Sequence, residues 1–157
     1  MPDPIGRDLK AGGEGAAEAV VAYIDGGSRG NPGPSGAGVY FELDGKPWRG
    51  VYEYLGRATN NHAEYSALLR ALDYALGAGF RRIAIYSDSE LLVRQMRGEY
   101  RVKNPNLQEL QRRASDTIRH FERHSIEHVP RERNSQADAL ANKAMDLRHS
   151  GEDAYDS

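Results

Sequence analysis

A chain of 157 residues, 39% hydrophobic and 28% charged, can bury a sizeable core as one domain with short tails, and its composition is that of an ordinary globular protein. No apolar run reaches the ~18–20 residues that span a bilayer, and the absence of cysteine excludes disulfides and thiolate metal ligands. A formal net charge of −2 excludes the strong global field of a basic nucleic-acid binder, so recognition of an anionic polymer has to be local.

Residues 1–18 carry Gly, Ala, Pro and charges without apolar periodicity or the hydrophobic segment of a secretory signal, and predict a flexible tail. Residues 149–157 are polar and acidic and predict a second one, leaving residues 19–148 as the folded unit. That unit opens with Val20-Val21-Ala22-Tyr23-Ile24-Asp25, a strand expected to stop at the turn formers between Gly26 and Gly33. Gly38–Leu43 and Trp48–Leu55 predict two strands around Asp44-Gly45, a hairpin signal because both positions tolerate positive φ. The period then changes: Ala63, Ala67, Leu68, Ala71, Leu72 and Ala75 mark a helix from Asn61 to about Leu76, ended by Gly77 and Gly79.

Arg82–Ser87 predicts a fourth strand with Asp88 at its end. A short helix through Leu91, Leu92 and Met96 follows, then a longer amphipathic one through Leu107, Leu110, Ala114, Ile118 and Phe121 after Asn104-Pro105. Ser125–Val129 predicts the fifth strand, and Ala137, Leu140, Ala141 and Ala144 the last helix. The order β-β-β-α-β-α-α-β-α implies an α/β fold: a five-stranded mixed sheet, three strands antiparallel and two parallel, flanked by helices.

Four carboxylates sit where stability alone would not put them. Asp25 and Asp88 end apolar strands; Glu64 shares a helix stripe with Ala67, Leu68 and Ala71; Asp138 lies beside the Ala137–Ala141 stripe. Each has a bland reading as a turn former or a first-turn partner of the helix dipole. Together they converge, because the carboxyl ends of strands and the helices that follow them share one edge of an open α/β sheet. Clustered carboxylates repel, and no Lys or Arg stands at the matching positions, so a hard divalent cation is the expected partner: Mg²⁺, with Mn²⁺ as substitute.

These residues stand in familiar strings. Tyr23 to Gly38 (YIDGGSRGNPGPSGAG), Thr59 to Glu64 (TNNHAE), Tyr86 to Ser89 (YSDS) and Asn134 to Ala141 (NSQADALA) resemble, in order, the four motifs of type 1 ribonucleases H. The resemblance implies the ribonuclease H fold and cleavage of the RNA strand of RNA/DNA hybrids, leaving 3′-hydroxyl and 5′-phosphate ends. It implies that Asp25, Glu64, Asp88 and Asp138 hold two Mg²⁺ ions about 4 Å apart, with Asp25 bridging them. It places Gly26, Gly27, Ser28 and Asn31, with Asn60 and Asn61, at the substrate, where glycine lets peptide groups approach a 2′-hydroxyl. Arg57 and Thr59 match positions that grip a DNA-strand phosphate, and Asn104 joins them; a solvated strand end is the competing reading of Arg57.

Two departures bear on mechanism. Many bacterial members insert a basic, Trp-containing helix after the third motif, whereas Met96–Pro105 is short here, as in the archaeal-like branch, so hybrid binding is expected to be weaker or to rest on other arginines. Many also carry a histidine on the loop before the fourth acid. That loop is Pro130-Arg131-Glu132-Arg133-Asn134, and His128, inside the preceding strand, is expected to be structural. Arg131 is therefore the candidate catalytic cation; a solvated loop residue like Arg133 is the alternative. The remaining expectations are a cytoplasmic monomer, without a membrane or an obligate protein partner. A junction-cutting nuclease of the same architecture fits the glycine turn less well, and a binding module without catalysis would gain nothing from carboxylates facing phosphate.

Overall fold

The computed structural model describes residues 19–155; the expected N-terminal tail lies outside them. Three long strands, β1 (Ala19–Ser28), β2 (Gly33–Leu43) and β3 (Lys46–Ala58), form the antiparallel meander. The Asp44-Gly45 turn adopts the positive φ values its residues tolerate, 55° and 76°. Strands β4 (Arg82–Ser87) and β5 (Arg123–His128) add in parallel on the other side of β1. The expected three antiparallel and two parallel strands are all present. The described sheet nevertheless has six strands, in the order β5-β4-β1-β2-β3-β6.

The sixth, β6 (Gly151–Ala154), lies where a flexible tail was expected and pairs antiparallel with β3 from Arg49↔Ala154 to Tyr52↔Gly151. Gly-Glu-Asp-Ala has no β-branched or aromatic residue to announce a strand. Its order comes instead from long-range partners: Lys143 Nζ lies 2.9 Å from Asp153, the Tyr74 hydroxyl donates to Glu152 at 2.6 Å, and the Tyr155 ring meets Tyr40 at 6.1 Å. Deleting residues 151–157 is expected to lower the melting temperature by about 3–8 °C, the equivalent of ~1–2 kcal/mol. An unchanged melt would show that the strand contributes no stability.

Four helices among the described residues cover the sheet. Helix α1 (Asn60–Gly77) is capped by Thr59, whose Oγ1 accepts from the His62 amide at 3.2 Å. Helix α2 (Glu90–Met96) is capped by Ser89, and α3 (Pro105–Ile118) by Asn104, with proline pre-set for its first turn. A single 3₁₀ turn, Arg131–Arg133, leads into α4 (Ser135–Leu147). Alternation along β1 sorts these helices by face. Val20, Ala22 and Ile24 bury against the Ala67, Leu68, Ala71 and Leu72 stripe of α1, in one core with Leu92 of α2 and Leu110 of α3. On the opposite face, Tyr40 and Tyr52 of the sheet pack with Ala137, Leu140 and Ala144 of α4. Each fully buried large apolar side chain contributes about 1.5–3 kcal/mol. The short connection from Arg97 to Asn104 holds no helix, so the fold lacks the basic protrusion.

Candidate active site

Two missing side chains bring the acids together. Asp25 pairs across the sheet with Gly38. A Cβ on Gly38 would lie 2.4 Å from the Ala137 carbonyl oxygen, so α4 rests directly on the strand and carries Asp138 to Asp25. On the other face, a Cβ on Gly26 would lie 2.2 Å from the Ala63 oxygen and 2.5 Å from the Glu64 nitrogen. The start of α1 therefore seats on β1 at Ala63 and Glu64 and delivers the Glu64 side chain. Asp88 follows β4, whose last pair with β1 is Ile24↔Ser87, and so emerges beside Asp25. All four acids line one open cavity of about 530 Å³, which Arg131 also lines.

The electrostatics report the crowding. Burial first, then the charges of Asp88 and Asp138, a hydrogen bond with Asp138 and the charge of Glu64 push the Asp25 carboxyl up to about 8. Burial also raises the Glu64 carboxyl; the Ser89 hydroxyl hydrogen-bonds it and offsets part of the shift, while Asp88 adds to it. Among the described residues, no three Asp, Glu or His side chains stand close enough together to hold an ion as they are placed. Magnesium keeps several waters and binds through one or two carboxylates plus substrate phosphate, so an open arrangement suits it. The all-oxygen donor set and the raised Asp25 carboxyl fit a hard divalent cation.

The glycine turn differs in detail from its sequence-based expectation. β1 does not stop at Asp25: Gly26, Gly27 and Ser28 continue the ladder, facing Ala37, Gly36 and Ser35. Gly26 is buried against α1, whereas a Cβ on Gly27 would meet nothing within 4 Å, so Gly27 is the one open to a ligand. Ser28, expected at the substrate, lines the acid cavity and is also tied into the turn. Its hydroxyl lies within hydrogen-bonding reach of the Gly30 and Ala58 carbonyls, and its amide donates to Asn60 Oδ1 at 2.8 Å. Asn31 Oδ1 in turn accepts from the Asn60 amide at 3.1 Å. Because both carboxamide oxygens face protein donors, substrate contact by Asn31 or Asn60 would use the NH₂ group.

Arg57, Thr59 and Asn104, distant in sequence, line a second cavity of about 600 Å³ with Asn31, Asn61 and Asn106. Asn61 lines both cavities, so they adjoin. Thr59 and Asn104 are helix caps whose side-chain oxygens accept main-chain amides, which fixes their place. Asn106 escaped the sequence reading because an Asn at the start of a helix needs no further explanation.

The loop before Asp138 separates its two arginines. Arg131 lines the acid cavity, while the Arg133 guanidinium hydrogen-bonds the Tyr23 hydroxyl. His128 closes β5, exposed, and is not among the cavity's lining residues. Asn134, only 1% exposed, ties the site from below. Its Nδ2 donates to the Ile24 carbonyl at 2.9 Å, and its own carbonyl accepts the Asp138 amide at 3.1 Å. Nothing local in the sequence points to this role of Asn134, because the Ile24 contact spans 110 residues.

Known proteins with the same arrangement were found by sequence and by fold. Residues 23–144 match the Reverse transcriptase-like family. Ribonuclease HI of Halobacterium salinarum is 45% identical over 128 residues, 81% of this chain and 64% of that protein. A bifunctional protein of Mycobacterium tuberculosis is 46% identical over 129 residues, 81% of this chain and 35% of that protein. The chain thus spans less than two thirds of either relative. The crystal structure of RNase H1 from H. salinarum superposes with a TM-score of 0.80 at 44% identity, covering 82% of this chain and 98% of that one. An RNase H1 isolated from compost, crystallised in complex with an RNA/DNA hybrid, gives 0.78 at 39% identity, with coverage of 82% and 98%. With these matches extending across all four acidic motifs, the chain belongs to the type 1 ribonuclease H family.

Proposed function

We propose that the protein is a metal-dependent endonuclease that hydrolyses the RNA strand of RNA/DNA hybrids, leaving 3′-hydroxyl and 5′-phosphate ends. The observation that carries this reading is the pair of adjoining cavities, one lined by four carboxylates and the other by Arg57, Thr59 and Asn104. A duplex laid across both would place one strand at the acids and a phosphate of the other strand at the Arg57 cavity. The hybrid complex of the compost enzyme supports the choice of duplex.

Asp25, Glu64, Asp88 and Asp138 would hold two Mg²⁺ ions, with Mn²⁺ as substitute. When bound, such ions supply Lewis acidity toward the phosphate and the departing 3′-oxygen and acidify a water. The chain itself orients the strand. Gly27 offers an unshielded main chain to the RNA ribose, and the carboxamides of Asn60 and Asn61 reach the same cavity. Water attacks phosphorus opposite the 3′-oxygen and gives up a proton to solvent, the P–O3′ bond breaks, and the departing oxygen takes a proton from solvent to become the 3′-hydroxyl. Arg131 supplies fixed positive charge to the phosphate; always protonated, it cannot shuttle a proton.

A cleavage panel tests this reading: labelled RNA/DNA hybrid, double-stranded RNA, single-stranded RNA and duplex DNA, each with Mg²⁺, Mn²⁺ or EDTA. Cutting confined to the RNA of the hybrid and lost in EDTA is expected. Preference for duplex DNA, or full activity in EDTA, would overturn it. Within the site, Arg131→Ala is expected to lower kcat about tenfold with a smaller change in KM. Arg133→Ala, which removes a side chain outside the lining of the acid cavity, should turn over near the wild-type rate. Equal turnover in the two variants would remove Arg131 from the mechanism.

A further inference from the structure

We propose that Arg29 is a substrate-positioning residue, parked on Asp146 and Asn142 in the free protein and transferred to a phosphate of the RNA strand beside the scissile bond when hybrid binds. This inference rests on the hybrid-nuclease reading above. Arg29 follows directly on β1 and lines the acid cavity with Asn142. Its backbone is held by an amide hydrogen bond to the Pro34 carbonyl at 2.8 Å. Gly33 packs against it so closely that a Cβ there would lie 2.1 Å from the Arg29 oxygen. The side chain leaves this fixed base with one Nη2 lying 2.7 Å from Asp146 and 3.2 Å from Asn142 Oδ1.

That contact has the character of a holding position. The Arg29 and Asp146 side chains are 47% and 63% exposed, and ion pairs this open contribute little to stability. Asp146 stands in the last turn of α4, where the helix dipole disfavours a carboxylate. Helix formation therefore gives no reason for an acid at this position. A phosphate offers the planar guanidinium two parallel hydrogen bonds and a stronger charge than one solvated carboxylate. The location is also suitable. Asn142 Nδ2 donates to the Asp138 carbonyl at 3.0 Å while its Oδ1 accepts from Arg29. One side chain thus links the arginine to the turn that carries an active-site acid. On a chain of net charge −2, an RNA strand entering a cavity of four acids needs local cations on the rim, and Arg29 supplies one.

The experiment is steady-state cleavage of a short RNA/DNA hybrid in Mg²⁺ at several salt concentrations, with wild type, R29A, R29K, D146N and R29A/D146N. R29A is expected to raise KM about five- to tenfold with kcat within about twofold, and to make the dependence of log(1/KM) on log[salt] shallower by about 0.7–0.9, one phosphate contact. R29K should recover part of the loss, because lysine keeps the charge without the fork. D146N releases the arginine and should lower KM about two- to threefold, a gain that disappears in R29A/D146N because nothing remains to be released. Melting temperatures of all four variants should stay near wild type. Wild-type KM and salt slope in R29A, or a D146N gain that survives in the double variant, would overturn the proposal while leaving the function intact. A wild-type protein that does not cut hybrid would overturn the underlying reading instead.

Discussion

Asp25→Asn is expected to reduce hybrid cleavage about a thousandfold or more while raising the melting temperature of the metal-free protein at neutral and alkaline pH. The two effects share one cause. Burial and the neighbouring acids push the Asp25 carboxyl up to about 8 from an ordinary value of 3.8. A group whose pKa is raised in the folded state contributes stability below its unfolded pKa and loses that contribution as pH rises through the folded one. Wild-type stability in EDTA should therefore fall between about pH 4 and pH 8, by at most ~1.4 kcal/mol per pH unit for this one proton. Asparagine keeps the shape and carries no charge, so its pH dependence over the same window should be flatter. Added Mg²⁺ should raise the wild-type melting temperature, since a ligand that binds only the folded state stabilises it by mass action, and should raise that of the variant much less. Melts from pH 5 to 9 in EDTA and in Mg²⁺, beside single-turnover cleavage, make the check. Tenth-of-wild-type activity in the purified variant, or a variant less stable than wild type at pH 8, would remove Asp25 from the metal-binding role.

The acids were legible because their positions conflict with local stability. Asp25 and Asp88 close apolar strands, and Glu64 sits on a buried helix stripe, so the sequence itself shows that something other than folding placed them. Arg57, Thr59 and Asn104 were expected together only by resemblance, since nothing local joins a strand end to a cap far along the chain; the structure puts all three on the lining of the second cavity. What sequence could not resolve depends on contacts across long separations. Ser28 looks like a free ligand group in a glycine turn; it lines the acid cavity, but its hydroxyl also reaches the Ala58 carbonyl. Arg131 and Arg133 look equivalent two residues apart, yet one lines the acid cavity and the other bonds Tyr23. Strand β6 has a loop-like composition and is ordered by partners 10 and 78 residues away.

Gly26→Ala is expected to lose about 2–4 kcal/mol of stability and about a hundredfold in kcat, although it adds a single methyl group. The added Cβ would sit 2.2 Å from the Ala63 oxygen, 2.3 Å from its carbonyl carbon and 2.5 Å from the Glu64 nitrogen. All three atoms are main chain near the start of α1, so no rotamer change can relieve the contact. Ordinary contact begins at about 3.4 Å, and the helix end therefore has to retreat by roughly an ångström from a well-packed sheet, an overpacking change at the costly end of its range. Because the same segment carries Glu64, the retreat moves one acid away from Asp25, and a displacement of that size at a reacting centre is enough for a hundredfold loss. Gly27→Ala is the control, since its Cβ would meet nothing within 4 Å. That variant should melt with wild type and lose activity chiefly through KM, by crowding the approach of the RNA strand to the exposed main chain. Urea denaturation and steady-state kinetics on both variants separate the cases. A Gly26→Ala protein with wild-type stability and turnover would show that α1 does not depend on this glycine to bring Glu64 to the site.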